Sequence, residues 1–245
     1  MLQHLKGLVP HFITLLNLLS GCIAVYQVSV EAYHLAMLFV LLGVFLDFFD
    51  GLVARKLGVS SEVGVQLDSL ADLVTSGVVP GFVMFKLIAG ADISQTIFTD
   101  ISNILPYLGF IITAGTAYRL AVFNVVGKDS VDFIGLAAPA NAIMIVSWPL
   151  MVEHTEFSYW VVFFQQPLIL IILLLVDVII LNANFKLFSF KLKNLSLRNN
   201  LFRYVLVLSA VVFMIFLPYE SASLIVLMYF ILSYFHFKFA VSDHV

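Results

Sequence analysis

Residues 46–74, LDFFDGLVARKLGVSSEVGVQLDSLADLV, set four aspartates in an otherwise apolar stretch. Asp47, Asp50, Gly51 and Ala54 recur at i, i+3, i+4 and i+7, which places them on one face of a helix. Gly64, Asp68 and Asp72 follow at i, i+4 and i+8 and do the same for a second helix. The turn from Lys56 to about Ser61 is short enough to make the two helices antiparallel neighbours. Four carboxylates, flanked by residues with almost no side chain, then converge on one point.

The rest of the chain is greasier still. Of its 245 residues 62% are apolar and 11% charged, whereas soluble domains carry about 25% charged residues. Twelve basic and fifteen acidic residues are too few to coat a soluble globule of this length, so the surface faces lipid. The single cysteine, Cys22, excludes an internal disulfide and a Cys-based zinc site. Leu19-Ser20-Gly21-Cys22 has the form of a lipoprotein processing box, but no soluble domain follows it, and Cys22 reads as a small buried helix residue. No basic patch suits nucleic acid.

A bilayer core takes about 20 apolar residues per helix. Eight segments qualify, near 11–29, 32–52, 66–89, 104–125, 137–153, 159–181, 202–218 and 221–238. The expected fold is an all-α integral membrane domain spanning residues 1–245. With the N-terminus in the cytoplasm, Lys6, Arg55, Lys56, Arg119, Lys128, Lys186, Lys191, Lys193, Arg198, Arg203 and Lys238 share one side, and only Lys86 is left over. The opposite loops carry Glu31, Asp92, Asp100, Glu153, Glu156 and Glu220, the asymmetry of the positive-inside rule. Both termini and the aspartates are thereby assigned to the cytoplasmic face.

An aspartate at the centre of a span costs about 2.5–3.5 kcal/mol, falling toward the interface. Unpaired, four together repel one another. A divalent cation removes that penalty, and an all-oxygen donor set suits Mg²⁺ or Mn²⁺, with Ca²⁺ as a structural occupant, better than zinc. Arg55 beside the cluster offers a guanidinium fork matched to phosphate, and Gly51, Ala54 and Gly64 leave room for a ligand at the backbone. A single intramembrane Asp is often only a helix–helix hydrogen bond, and small residues four apart are often only close packing; the whole constellation points to a site.

The spacing Asp47, Asp50-Gly51, Ala54-Arg55, Gly64, Asp68, Asp72 is identified with the signature of the CDP-alcohol phosphatidyltransferases, which it matches at every position. Further stretches resemble the phosphatidylserine synthase branch: Thr14-Leu15-Leu16-Asn17, residues 117–124 (AYRLAVFN), residues 133–142 (FIGLAAPANA) and Ser189-Phe190-Lys191. The similarity runs from about residue 10 to 195, implying a six-helix catalytic core, with residues 196–245 as two added helices. The branch carries a second basic residue where Val122 stands, and a Pro-Ser or Pro-Thr pair where Ala137-Ala138 stands.

The resemblance implies transfer of a phosphatidyl group from CDP-diacylglycerol to the hydroxyl of L-serine, giving phosphatidylserine and CMP. Glycerol 3-phosphate, inositol phosphate or choline are alternative acceptors, and a divalent-cation transporter is a rival of another class. Asp47, Asp50, Asp68 and Asp72 would hold the metal, with Asp72 also the base; Asn17, Gly51, Ala54, Arg55 and Gly64 would bind CDP-diacylglycerol. Arg119, Asn124 and Asn141 are candidates for the serine. Membership further implies a homodimer in a bacterial or archaeal cytoplasmic membrane. The six histidines, His4, His11, His34, His154, His236 and His244, have no ligand spacing and read as interfacial or loop residues. Asp177, alone in the sixth span, has no evident partner.

Overall fold

The computed structural model describes residues 2–59, 61–92, 99–126, 133–154, 158–188 and 197–242. Lys128, Lys191, Lys193, His244 and the Ser189–Lys191 stretch lie outside these residues. Ten α-helices occur among them: α1 (Leu2–Ser29), α2 (Tyr33–Leu57), α3 (Glu62–Leu73), α4 (Val79–Ala89), α5 (Ile111–Val126), α6 (Ala138–His154), α7 (Ser158–Phe164), α8 (Pro167–Asn182), α9 (Leu197–Phe216) and α10 (Ser221–Ser242). Five continuous helical stretches are long and apolar enough to cross a bilayer: Gly7–Ser29, Tyr33–Leu57, Glu62–Ala89, Leu105–Val125 and Ser221–Lys238. Shorter apolar helices cover Pro167–Asn182 and Asn200–Phe216. The chain is a multi-pass, all-α membrane protein. Its one sheet among the described residues is a two-residue antiparallel pair, β1 (Phe133–Ile134) with β2 (Lys186–Leu187).

All eight expected segments are helical, with one break. The sixth, expected as a single span over 159–181, divides into α7 and α8 at Gln165-Gln166. Gln166 is extended (φ −88°, ψ 111°), because the ring of Pro167 disfavours helical geometry in the residue before it. Pro167 then opens α8, where its missing N–H costs nothing.

Two boundaries matter for the site. α2 runs to Leu57, five residues beyond the expected 52, because Gly58 adopts φ 62°, ψ 30° and closes the helix by donating its N–H to the carbonyls of Ala54 and Arg55. α3 begins at Glu62, where Ser61 accepts from the N–H of Gly64 at 3.0 Å as an N-cap. Ala54, Arg55 and Gly64 therefore sit on regular helix, at facing ends.

Between α3 and α4, Val74–Val78 form one π-helical turn. Pro80, near the start of α4, cannot donate to the preceding turn, and the widened backbone finds side-chain partners: Thr113 of α5 donates to the carbonyl of Gly77 at 2.9 Å. The main core lies around this segment, with Val79, Val83, Met84 and Ile88 packed on Ala24 and Val28 of α1, Val40 of α2 and Ile145 of α6. A second small cluster of Phe188, Leu206 and Leu232 joins α9 to α10, and Trp148 Nε1 of α6 donates to Ser223 Oγ of α10 at 3.1 Å. Leucine, valine and phenylalanine remain exposed along α1, α2, α8 and α9, the surface a bilayer covers, and Cys22 of α1, expected to be buried, is exposed among them because its face of the helix has no protein neighbour.

The charge asymmetry maps onto the fold. Arg55 and Lys56 lie in the last turn of α2. Lys86, the one misplaced cation, sits at the other end and is neutralised by Glu31 at 2.7 Å.

Candidate active site

α1 packs against both α2 and α3, which the turn at residues 58–61 connects. Asp47, Asp50 and Asp68 each bring one carboxylate oxygen to within 4.8 Å of the others. Asp50 is 5% exposed and accepts from Thr14 Oγ1 of α1 at 2.5 Å. Asp68 Oδ1 is buried without a protein partner, and no lysine or arginine pairs with the cluster among the described residues. Three converging carboxylates with an orphaned oxygen fit a hard divalent cation and no other group the chain supplies.

Asp72 lies outside that trio and has a partner of its own. Asn17 Nδ2 donates to Asp72 Oδ1 at 3.2 Å, and Asn17 Oδ1 accepts from Thr75 Oγ1 at 2.8 Å. Because a carboxylate only accepts, the NH₂ end of the amide faces Asp72 and its oxygen is left for the Thr75 hydroxyl, which can donate. Gly43 of α2 makes this possible: a Cβ there would stand 2.7 Å from Thr75 Cγ2 and 2.8 Å from Asn17 Oδ1. Asn17, expected among the donor-binding residues, is placed on the fourth aspartate.

An open cavity of about 770 Å³ adjoins the trio at the ends of α1, α2 and α3. Asp50, Gly51, Ala54, Arg55, Gly64 and Asp68 line it, so four of the five residues expected to hold the donor face one space. Arg55 is exposed and has no ion-pair partner among the described residues. The α1 wall is less legible from sequence. Thr14 and His11 both line the cavity, and His11 Nε2 lies 3.1 Å from the capping hydroxyl of Ser61. Thr14 stood within a recognised stretch but carried no role; His11 read only as interfacial, since nothing local says that α1 crosses the α2–α3 turn.

The three acceptor candidates lie elsewhere and have partners. Arg119 Nη1 donates to the carbonyl of Leu181 at 2.6 Å, fastening α5 to the end of α8. Asn124 Nδ2 donates to Ser69 Oγ at 2.8 Å, which ties α5 to the helix bearing Asp68 and Asp72. Asn141 is fully buried and donates to Asp177 Oδ2 at 3.1 Å. Asp177, without an evident partner in the sequence, is therefore paired across the α6–α8 region. None of the three lines the cavity.

Comparison with known proteins gives the same picture. The chain is 34% identical over 142 residues to the CDP-diacylglycerol–serine O-phosphatidyltransferase of Bacillus subtilis, covering 56% of this chain and 73% of that one. It is 30% identical to the protein of that name from Methanocaldococcus jannaschii, over 57% of this chain and 59% of the relative. It is 31% identical to the archaetidylserine synthase of Methanothermobacter thermautotrophicus, over 61% of each. The sequence model of the CDP-alcohol phosphatidyltransferase family matches residues 7–235, which take in every helix that builds the site and most of α10. By that match, and by the aspartate cluster at the meeting of α1, α2 and α3, the chain belongs to the CDP-alcohol phosphatidyltransferase family.

Proposed function

We propose that the protein transfers the phosphatidyl group of CDP-diacylglycerol to the hydroxyl of L-serine, releasing CMP, at the cytoplasmic face of a cell membrane. The observation that carries this reading is the division of labour among four carboxylates: three converge beside the cavity, and the fourth is held separately by an amide. Serine is the acceptor that recurs in the names of the bacterial and archaeal relatives, whereas the lipid differs between them.

Asp47, Asp50 and Asp68 would hold Mg²⁺ or Mn²⁺, which when bound supplies the positive charge that offsets the diphosphate and the departing CMP. Arg55, on the cavity wall, is positioned to grip the same diphosphate by paired hydrogen bonds. Gly51 and Ala54 leave the α2 surface flat enough for the cytidine to lie against it. Asp72 takes the proton of the serine hydroxyl as its oxygen bonds to the diacylglycerol-bearing phosphorus and the bond from that phosphorus to the CMP oxygen breaks. The amide of Asn17 keeps Asp72 turned toward that task. Asn124, which donates to Ser69 on the helix bearing Asp68 and Asp72, is the acceptor-side residue that this reading favours. The cavity opens at the end carrying Arg55 and Lys56, the end that the charge rule assigns to the cytoplasm.

The test is CMP release by the purified protein in detergent with CDP-diacylglycerol and Mg²⁺ or Mn²⁺. L-Serine, glycerol 3-phosphate, inositol phosphate and choline are compared, with Asp72→Asn as control. Serine-dependent release that vanishes in the control supports the proposal; release with another acceptor alone overturns the serine assignment.

A further inference from the structure

At the opposite end of the molecule from the aspartates, two histidines that are 120 residues apart in sequence meet. His34, in the first turn of α2, and His154, the last residue of α6, face each other through their Nε2 atoms at 3.1 Å. Glu153 adds a carboxylate: one ligand atom from each of His34, Glu153 and His154 falls within 4.8 Å of the others. His154 Nδ1 lies 3.3 Å from the carbonyl of Leu150, and a carbonyl can only accept, so that nitrogen carries the ring proton. The Nε2 of His154 is thereby left as the acceptor nitrogen, and it faces the Nε2 of His34. Such a backbone contact on the far nitrogen is how metal-bound imidazoles are oriented. Tyr219, from the turn between α9 and α10, stacks on the His154 ring with centroids 4.6 Å apart and fixes its plane.

We propose that His34, Glu153 and His154 form a second metal site, distinct from the aspartate cluster, which binds Zn²⁺ or a similar borderline divalent cation on the non-cytoplasmic face. Two imidazoles and one carboxylate are the donor set of zinc and its neighbours, and a hard cation such as Mg²⁺ prefers the all-oxygen cluster instead. The observed separation of the two ring nitrogens is the spacing of two ligands on one small cation: with bonds of about 2.0–2.1 Å at a tetrahedral angle, ligand atoms stand about 3.3 Å apart. All three residues are exposed, so the ion enters from the aqueous phase and a fourth position stays open. Zn²⁺ there staples the N-terminus of α2 to the C-terminus of α6, at the far end of the helix that carries Asp47 and Asp50.

The test is Zn²⁺ binding to the full chain in detergent, freed of any affinity tag, by equilibrium dialysis with metal analysis, together with the visible spectrum of the Co²⁺ form. The wild type and Asp47→Asn/Asp68→Asn should both retain a Zn²⁺ ion and the intense bands of tetrahedral Co²⁺. His34→Ala and His154→Ala should lose those bands and weaken Zn²⁺ binding by at least the 10–100-fold seen when a metal site loses supporting contacts. Glu153→Gln should weaken it less. Equal Zn²⁺ affinity in the wild type and both histidine variants overturns the proposal, as does loss of the ion in Asp47→Asn/Asp68→Asn alone. If the alanine variants do not fold, the wild type decides by itself: only the weak spectrum of octahedral, carboxylate-bound Co²⁺ would sink the second site.

Discussion

Asn17 of α1 and Asp72 of α3 are joined by a hydrogen bond of 3.2 Å across 55 residues of sequence, and Thr75 holds the other end of the same amide. This link is the only one seen among the described residues between Asp72 and a side chain of another helix. It makes α1, which bears no member of the aspartate motif, a working part of the site.

Removing the amide should therefore impair turnover more than binding of the donor. A hydrogen bond to a charged group is worth about 1.5–3 kcal/mol, which converts to roughly 10–100-fold in rate. Asn17→Ala is expected to lower kcat for CMP release by that factor with KM for CDP-diacylglycerol little changed. Steady-state kinetics on the purified variant checks it, and a rise in KM at constant kcat would refute the role in orienting Asp72.

The Asn17–Asp72 arrangement rests on the absence of a side chain at Gly43, where a Cβ would stand 2.7 Å from Thr75 Cγ2. Overpacking of this kind costs about 1–3 kcal/mol. Gly43→Ala should lower the Tm in detergent and reduce activity. Adding Thr75→Ser, which deletes the offending methyl and keeps the hydroxyl, should recover part of both losses; no recovery would show that the strain lies elsewhere.

Metal removal should silence the enzyme. Three converging carboxylates, with Asp68 Oδ1 buried and unpartnered, make a site that needs a cation to balance it. Exhaustive chelation is expected to abolish CMP release, and Mg²⁺ or Mn²⁺ to restore it. Asp47→Asn, Asp50→Asn and Asp68→Asn should each lose several kcal/mol of transition-state stabilisation, on the order of 10²–10³-fold or more in kcat/KM. Full activity after chelation would contradict the metal assignment.

Asn141 and Asp177 make a polar pair inside the helix bundle, with Asn141 Oδ1 and Asp177 Oδ1 left buried and unpartnered. Removing one member strands the other, at a cost of about 1–2 kcal/mol for interhelical hydrogen bonds in membranes. Asn141→Leu and Asp177→Leu should each lower thermal stability, and the double variant should lose less than the sum of the two. Additive losses in this cycle would mean that the two side chains do not support each other.

The sequence by itself determined the composition class, the eight helical segments and the carboxylate faces. Those properties are local: 3.6 residues per turn puts Asp47 beside Asp50 and Asp68 beside Asp72 whatever the rest of the chain does. The short α2–α3 turn points the two faces toward each other, and α1, packed against both helices, holds them there. Where the expectation failed, the signal was also local but overlooked, as at Gln165-Gln166-Pro167, where proline geometry outweighs an apolar run. Only the tertiary structure decided the contacts between helices remote in sequence: Thr14 on Asp50, Asn17 on Asp72, Asn141 on Asp177 and His34 against His154. In a bilayer, apolar periodicity loses its power to say which face of a helix turns inward, because lipid and protein interior are equally apolar. Partner choice passes to small residues and buried polar groups, and these reveal their pairing only once the helices are packed.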